Sequence, residues 1–343
     1  MYYLQSSDAF IVAQHQPLLA LDYCQSRQLE MHSILKGSGL HDSGLPHTDY
    51  FISAEQYLQL LRNLADKSKA ADTSFLLGQQ MLPGHYGGFS QVLMHAQNLR
   101  QALNLLVKMQ SKLCPLLSPH WREEGKYAVL YWVDSFGAKG MRGFLVEMHM
   151  TAVVAMCRWL SGQRLPWRFC FNRTQPRYCE QHQVHLGNML RFDCQLDAML
   201  IDASWLDQAW PRGNAMAVAL AEQQCASHLV TQQPQQGILA ALYDYLLQRI
   251  RSAPTLEQTA HDFDISTASL KRHLARHASH FQAELDQVRT HVAMHLFHSE
   301  GWDNDAVANY LGFHDANNFR RSFKRWTGLT PMLIRQGLHN ALA

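Results

Sequence analysis

The C-terminal part of the chain contains the stretch that decides its fold, LGFHDANNFRRSFKRWTGLTP, at residues 311–331. Gly312 permits the positive φ of a tight turn. Phe319 and Phe323 are four residues apart and therefore lie on one face of the helix that follows the turn. Gly328 and the proline three residues later end that helix. The stretch predicts the second helix of a helix-turn-helix unit, with an apolar side that packs in a core.

The same design occurs twice in this part of the chain. Asp303 is the candidate N-cap of the helix before the turn, because its side chain can accept hydrogen bonds from the first helical turn. Earlier in the chain, Thr255 is followed by a glutamine three residues on, which is the pattern of a capping box, and Ser266 is the cap of the next helix. Two helix-turn-helix units are therefore predicted, at residues 255–280 and 303–328.

The second helix of each unit carries a matched polar face. On a helical wheel at about 100° per residue, long hydrogen-bond donors and small residues occupy one arc, and apolar residues lie opposite. Corresponding positions of the two arcs differ by 49 in residue number. The first arc is Ala268, Lys271, Arg272 and Ala275, and the second is Asn317, Arg320, Arg321 and Lys324.

These residue types fit the edges of base pairs. A major groove admits one α-helix, and guanine presents two acceptors that match the fork of an arginine. Arg272 and Arg321 are therefore candidate guanine contacts, and Asn317 can pair in the same bidentate way with adenine. Ala268 is small enough for close approach and for contact with a thymine methyl group. The arrangement predicts sequence-specific binding of double-stranded DNA.

The remaining cations of the two faces have a different predicted role. Lys271, Arg320 and Lys324 lie on the flanks, where contacts with phosphates fix the register without carrying sequence information. A single basic helix face is usually solvated surface, and residues 251–335 contain ten Lys and Arg against nine Asp and Glu. Two matched faces within two matched units favour DNA binding over that simpler interpretation.

A longer helix is predicted between the two units, from Phe281 to His298. Its apolar residues follow the spacing of a buried stripe. Eighteen residues of helix span roughly 27 Å. Such a strut can hold two recognition helices about one DNA turn, roughly 34 Å, apart on one side of a duplex. The stripe consists of Leu285, Val288, Val292 and Leu296.

The rest of the chain has a different pattern. Helical and strand-like periodicities alternate before the polar segment TQQPQQG, which we interpret as a linker, and only helical patterns follow it. The predicted fold is an α+β N-terminal domain followed by an all-α domain with two helix-turn-helix units. The predicted domains are 1–230, a linker at 231–237, and 238–343. The predicted N-terminal elements are helices at 54–67 and 99–113 and strands at 127–133, 168–171 and 190–194.

Composition limits the class of protein. The chain has 343 residues, of which 47% are apolar and 17% charged, as in globular proteins of more than one domain. The most apolar helical stretch, Phe144–Leu160, is interrupted by charged residues and a histidine, so no membrane span is expected. Seven cysteines without a CxxC pair are expected to be free thiols. With no export signal recognised at the N-terminus, a cytoplasmic location is expected.

No catalytic or metal site is predicted. The glycine-dense segment 83–89 lacks the lysine of a phosphate-binding loop, and the chain contains neither GxSxG nor HExxH. Glu123 and Glu124 are interpreted as a solvated turn before a strand. The histidine pairs at i and i+4 are His291 with His295 and His273 with His277, but no cysteine accompanies them, so structural roles are favoured over zinc. We expect neither a cofactor nor enzymatic activity.

The second unit resembles the AraC-type transcription regulators. The residues that carry this resemblance are LGF at 311–313, Phe319, Arg321 and FKRWTGLTP at 323–331. The similarity spans about 239–336, and the N-terminal region is more weakly similar to the arabinose-binding-like domain of the ornithine-utilisation-regulator-like subgroup. The first unit departs from the family pattern where Asp264 and Ala278 replace glycines, and of the two Asp tolerates a left-handed backbone better.

The resemblance implies the remaining functional expectations. By this resemblance the DNA contacts would be Lys271, Arg272, Asn317, Arg320 and Arg321. The N-terminal domain would bind a small-molecule effector at residues that the sequence leaves unknown. RNA polymerase and a second copy of the chain are further candidate partners. The alternative is an enzyme, or a ligand-independent interaction domain, fused to a DNA-binding domain.

Overall fold

The protein, seen here in a computed structural model, is described over residues 3–41, 50–230 and 236–334, without the side chains of 139 and 226–230. Among these residues, an N-terminal part contains both sheets, and six α-helices follow residue 237. The predicted fold class is confirmed. Residues 231–235 of the predicted linker lie outside the described residues.

The N-terminal part consists of two sheets and the helices packed around them. The strands are β1 (Ala9–Val12), β2 (Phe51–Ser53), β3 (Leu117–Glu124), β4 (Tyr127–Asp134), β5 (Arg168–Cys170), β6 (Leu190–Arg191) and β7 (Ala198–Asp202). The helices are α1 (Gln16–Ser26), α2 (Met31–Leu35), α3 (Ala54–Ser68), α4 (Thr73–Met81), α5 (Gly88–Met94), α6 (Leu99–Lys108), α7 (Gln110–Leu113), α8 (Arg142–Ser161), α9 (Glu180–Leu186) and α10 (Ala215–Val230).

The larger sheet has the strand order β3-β4-β7-β5-β6. Its pairings are antiparallel except for β5 with β6. The hairpin between β3 and β4 turns at Gly125, whose φ of +56° places it in the left-handed region that glycine tolerates.

Strand β4 is buried on both faces, which explains its unbroken apolar sequence YAVLYWV. Alternate side chains point to opposite faces of a strand. Ala128, Leu130 and Trp132 belong to the core of the N-terminal part. Tyr127, Val129, Tyr131 and Val133 belong instead to a second core shared with the C-terminal helices. The sheet is therefore the surface on which the helical part rests.

Helix α8 is long and apolar enough to cross a membrane by length and composition alone, but 61% of its apolar window is buried inside the protein. It packs against α4 so closely that a Cβ at Gly78 would lie 2.2 Å from the carbonyl oxygen of Met148. The helix thus forms part of the core of the N-terminal part.

The C-terminal part is helical throughout its described residues, as predicted. Its helices are α11 (Ile238–Arg249), α12 (Leu256–Asp262), α13 (Thr267–Arg276), α14 (Phe281–Ser299), α15 (Asn304–Tyr310) and α16 (Ala316–Thr327). Helices α12 and α13 form the first helix-turn-helix unit, α15 and α16 form the second, and α14 is the predicted strut.

Several N-terminal predictions were wrong in detail. The helix predicted at 99–113 is two helices, because the backbone of Met109 departs from helical geometry at φ −106° and ψ +21°. The strand predicted at 190–194 has only two residues. Strand β3 was not predicted, since its alternating polar residues give no apolar run.

Candidate DNA interface

The first unit begins and turns as its sequence indicates. The backbone N–H of Gln258 donates to Thr255 Oγ1 at 3.2 Å, and the Thr255 N–H donates to Gln258 Oε1 at 3.1 Å, which completes the capping box. Ser266 Oγ accepts from the N–H of Ser269 at 3.1 Å at the start of α13. Between the helices, Asp264 has φ +59°. The turn therefore forms with aspartate in the left-handed conformation.

The second unit repeats this local chemistry. Asp303 accepts a hydrogen bond from the N–H of Ala306 at 2.8 Å, and Asp315 accepts from the N–H of Asn318 at 2.7 Å. Gly312 occupies the turn with φ +75°. The caps of the first helices are 48 residues apart and those of the second helices 49. The second turn is therefore one residue longer than the first.

The apolar sides of both recognition helices are fully buried. Leu270 and Leu274 anchor α13, and Phe319 and Phe323 anchor α16. The side chains of all four are 0% exposed to solvent. The ring of Phe319 lies 6.1 Å from that of Phe297 on the strut, measured between centroids. The opposite arcs of both helices are left facing outward.

Every predicted DNA-contacting residue is solvent-exposed. On α13 these residues are Ala268, Lys271 and Arg272, and on α16 they are Asn317, Arg320, Arg321 and Lys324. Arg321 Nη2 donates to Asn318 Oδ1 at 2.9 Å, and Asn318 Nδ2 donates to Asp315 Oδ2 at 2.8 Å. The cap residue Asp315 thus orients Arg321 through Asn318. The contacts with DNA themselves stay a prediction.

The strut joins the two units to the sheet. Helix α14 packs against α11 and α16, and its stripe of Leu285, Val288, Val292 and Leu296 is buried. His291 is also buried and is hydrogen-bonded to the hydroxyl of Tyr243 at 2.8 Å. Burial, with smaller contributions from nearby cations, lowers the pKa of His291 to about 3. This histidine is a neutral core residue.

The histidines at the end of the strut correct one prediction. Glu124 is buried at the end of β3 and is not part of a solvated turn. Its two carboxylate oxygens accept hydrogen bonds at 3.2 Å from His295 Nδ1 and from His298 Nδ1, and Arg122 also binds it. Burial opposes ionisation, but these three partners together lower the pKa of Glu124 far below its usual range. The hydrogen bonds from His295 and His298 to Glu124 therefore link the strut to the sheet.

The described residues contain no group of three or more His, Cys, Asp or Glu side chains arranged to hold a metal ion. His277, which the sequence pairs with His273, instead donates from Nδ1 to the carbonyl oxygen of Phe136 at 2.8 Å. His273 packs edge-on against Tyr3 at 5.7 Å between ring centroids. Both histidines therefore connect α13 to the N-terminal part.

Helix α13 has further contacts with the N-terminal part. Arg276 Nη1 donates to Gln5 Oε1 at 3.0 Å. A Cβ at Gly137 would lie 2.9 Å from the Cα of His277, so the loop after β4 touches the backbone at the end of α13. The orientation of the first recognition helix is thus fixed by direct contact.

Comparison with known proteins agrees with this architecture. The model of the arabinose-binding domain of AraC transcription regulators matches residues 29–210, more than half of the chain, and a helix-turn-helix domain model matches 259–337. The chain belongs to the AraC family. Members are transcription regulators, and this AraC-family protein accordingly joins a DNA-binding helix-turn-helix domain to an N-terminal domain of the arabinose-binding type.

Individual relatives cover most of this AraC-family chain. The ornithine utilization regulator of Pseudomonas aeruginosa is 27% identical over 76% of this chain and 77% of its own. An uncharacterized helix-turn-helix transcriptional regulator of Mycobacterium tuberculosis is 21% identical over 90% of this chain and 92% of its own. The crystal structure of the regulator CdpR from Pseudomonas aeruginosa aligns with a TM-score of 0.48 at 16% identity, covering 94% of this chain and 98% of its own.

Proposed function

We propose that this regulator recognises its operator by inserting α13 and α16 into successive major grooves of one duplex. The observation that carries the proposal is the pair of matched, outward-facing arcs on helices with buried apolar backs. Arg272, Arg321 and Asn317 contact bases in this proposal, and Ala268 lies against a thymine methyl group.

The flanking cations hold the helices on the DNA backbone. Lys271, Arg320 and Lys324 neutralise phosphates, which makes affinity fall as salt rises. Binding of non-specific duplexes depends on the same three side chains. Their removal is therefore expected to weaken binding to all sequences alike.

Selection of bound sequences from random duplexes by the full chain tests the proposal. Two motifs with centres about 10 base pairs apart are expected. Arg272→Ala should relax one motif and Arg321→Ala the other, each with a loss of about 1–3 kcal/mol on the selected site. Arg325→Ala is the matched control, because Arg325 lies on α16 outside the polar arc, 3.7 Å from Asp286. Equal weakening on every sequence would show that Arg321 contacts phosphate alone.

We also infer that residues 1–230 form an effector domain that has no catalytic role and 238–343 the DNA-binding domain. The match of residues 29–210 to the arabinose-binding domain of AraC regulators supports effector control. The proposed location is the cytoplasm. RNA polymerase and a second copy of the chain are proposed partners. The competing functions are an N-terminal enzyme and an interaction domain that acts without a ligand.

A fragment of residues 237–343 tests the proposed boundary. Helix α11 buries apolar residues such as Leu242 against the sheet, so the fragment is expected to be less stable than the chain. Sequence preference, not affinity, is therefore the measurement. A folded fragment that selects the same two motifs supports the boundary, and one that binds all duplexes equally contradicts it.

A further inference from the structure

Two of the seven cysteines lie side by side near the β6 edge of the larger sheet. Cys170 is the last residue of β5, and Cys194 follows β6, the parallel neighbour of β5, by three residues. The N–H of Phe171 donates to the carbonyl oxygen of Arg191 at 2.8 Å, and the N–H of Cys194 donates to the carbonyl oxygen of Phe171 at 3.0 Å. These bonds fold the chain after β6 back across the end of β5 and bring Cys194 next to Cys170.

The two thiols also lie on the same side of the sheet. Alternate side chains of a strand point to opposite faces. Phe169 belongs to the core of the N-terminal part, whereas Cys170 packs against the second core, which the sheet shares with the C-terminal helices. Cys170 and Cys194 both line a cavity of about 550 Å³ between this face and the C-terminal helices. Met294 of the strut and Leu333 after α16 lie in the opposite wall.

The two thiols are hydrogen-bonded to each other, and this contact gives them different chemistry. Cys170 donates its proton, which raises the pKa of Cys170 well above its ordinary value, and burial adds to the effect. The same hydrogen bond lowers the pKa of Cys194 against the opposing effect of burial. The thiolate is the nucleophilic form of cysteine. Cys194 is therefore the nucleophile of the pair, and Cys170 is the protonated thiol held beside it.

The other five cysteines, all within the described residues, differ from this pair. Burial raises the pKa of four of them, which are Cys24, Cys114, Cys157 and Cys225. A buried neutral thiol is inert towards oxidants. Cys179 is half-buried, and its Sγ accepts a hydrogen bond at 3.7 Å from Gln175 Nε2. A lowered pKa, access from a cavity and a neighbouring thiol thus coincide at Cys194.

We propose that Cys170 and Cys194 are a redox-active pair that hydrogen peroxide converts to a disulfide, and that this change alters DNA binding. A reactive thiol next to a resolving thiol is the arrangement of redox-sensing cysteines. The covalent bond draws the two sulfur atoms closer together than the hydrogen bond does, so the segment that carries Cys194 moves against β5. This movement reshapes the wall opposite Met294 and Leu333, and it therefore reaches the strut and the segment after the second recognition helix.

The oxidation consists of two balanced steps. The Cys194 thiolate attacks one oxygen of hydrogen peroxide, so that an S–O bond forms, the O–O bond breaks, and hydroxide leaves and takes up a proton to become water. The Cys170 sulfur then attacks the Cys194 sulfur, so that an S–S bond forms, the S–O bond breaks, and hydroxide leaves with the Cys170 proton as a second water. The two thiols together lose two electrons, which the peroxide receives.

Disulfide mapping in the full chain tests the site. Reduced protein is treated with hydrogen peroxide, blocked with N-ethylmaleimide and digested with trypsin, which can cleave at Arg173, Arg177 and Arg191 between the two cysteines. Mass spectrometry should find peptides linked through Cys170 and Cys194, formed at least tenfold faster than in the chain unfolded in urea. Dithiothreitol should reverse the linkage. No linkage, a different predominant linkage, or equal rates in the folded and unfolded chains overturns the proposal.

Serine substitutions assign the two roles. Cys170→Ser keeps a hydrogen-bond donor but removes the resolving thiol, so the sulfenic acid of Cys194 should persist and react with dimedone. Cys194→Ser should give neither a disulfide nor dimedone labelling at Cys170. Cys179→Ser is the matched control, because Cys179 is also half-buried, and it should form the disulfide at the parent rate. Dimedone labelling of Cys170 in Cys194→Ser would overturn the assignment of the nucleophile.

DNA binding tests the second half of the proposal, which rests on the proposed function. Oxidation should change the affinity for the selected duplex at least threefold in the parent and in Cys179→Ser, but not in Cys194→Ser. An unchanged affinity after complete disulfide formation, or an equal change in Cys194→Ser, overturns the regulatory role. A chain that forms the disulfide but selects no DNA sequence contradicts the proposed function instead and confirms the redox-active pair.

Discussion

The first helix-turn-helix unit meets the N-terminal part in direct contact, whereas the segment that follows the second unit faces it across a cavity. His277 and Arg276 at the end of α13 are hydrogen-bonded to residues of the N-terminal part. Leu333, beyond α16, instead lines the cavity opposite the sheet. The difference shows that the N-terminal part contacts the two copies of one motif in different ways, so a change in it can affect the two copies differently.

The backbones of the two units also differ, in the residue types that occupy positions with positive φ. Asp264 and Ala278 of the first unit have φ of +59° and +50°, a region where side chains are strained. Gly312 and Gly328 of the second unit occupy this region without a Cβ. The first unit therefore has the less favourable backbone and the more extensive external support. Each prediction below tests one side of this contrast.

The largest expected effects come from the cores of the two recognition helices. Phe319→Ala should lower the free energy of unfolding by about 3–5 kcal/mol, because a fully buried ring leaves a cavity among other aromatic rings. Leu270→Ala, at the equivalent position of α13, should cost about 2–5 kcal/mol. Urea unfolding measures both. Ser322→Ala, half-buried on α16, is the control. A loss below about 1 kcal/mol for Phe319→Ala would contradict the packing described here.

A smaller effect is expected where the first unit touches the sheet. Gly137→Ala combines left-handed strain at φ +77°, about 1–2 kcal/mol, with a clash against His277 of about 1–3 kcal/mol. Gly162→Ala has nearly the same φ, +76°, with nothing within 4 Å. The difference between the two variants in urea unfolding therefore isolates the contact. Equal losses would mean that α13 does not rest on this loop.

The pH dependence of stability tests the strut beneath the contact. His291 stays neutral in the folded protein, because its pKa is lowered to about 3. Burial is the largest cause, and the nearby Arg122, Arg142 and His120 contribute less. The unfolded chain takes up this proton below about pH 6.5, so stability falls as the pH falls from 6.5 towards 3. Between pH 7 and pH 5 the loss from this residue is about 2 kcal/mol.

His291→Gln removes that loss and keeps a hydrogen-bonding group near Tyr243. Urea unfolding at both pH values should therefore show a smaller pH dependence for the variant, whatever its stability at pH 7. His85→Gln, at an exposed position, is the control and should behave as the parent protein. An unchanged pH dependence in His291→Gln would show that His291 is protonated or solvated in the folded state.

The smallest expected effect is a gain. Ala278→Gly should relieve the strain of a left-handed alanine and raise the free energy of unfolding by up to about 1 kcal/mol, less the greater entropy of glycine in the unfolded chain. Ala275→Gly, within α13, should instead cost about 1 kcal/mol. Thermal unfolding of the two variants gives opposite signs. A loss in both would show that the backbone at Ala278 is not strained.

Local chemistry explains which features the sequence could predict. Caps such as Thr255 and Asp303 act on backbone groups three residues away, so their effect is visible in a short stretch. The strut was predicted to within one residue because its apolar stripe repeats over about three turns. The burial of Glu124 was missed since its partners, His295 and His298, lie more than 170 residues further along the chain. The cavity was missed for the same reason, because its walls come from distant segments.

The presence of two unlike recognition helices in one chain has a consequence for the operator. Two identical half-sites related by symmetry suit a symmetric dimer, whereas this chain presents two unlike helices in tandem, Lys271-Arg272 on one and Arg320-Arg321 on the other. A duplex recognised by such a pair has a polarity, and inverting it would turn the N-terminal part to face the opposite flank. Its orientation beside a promoter then becomes part of the regulatory signal.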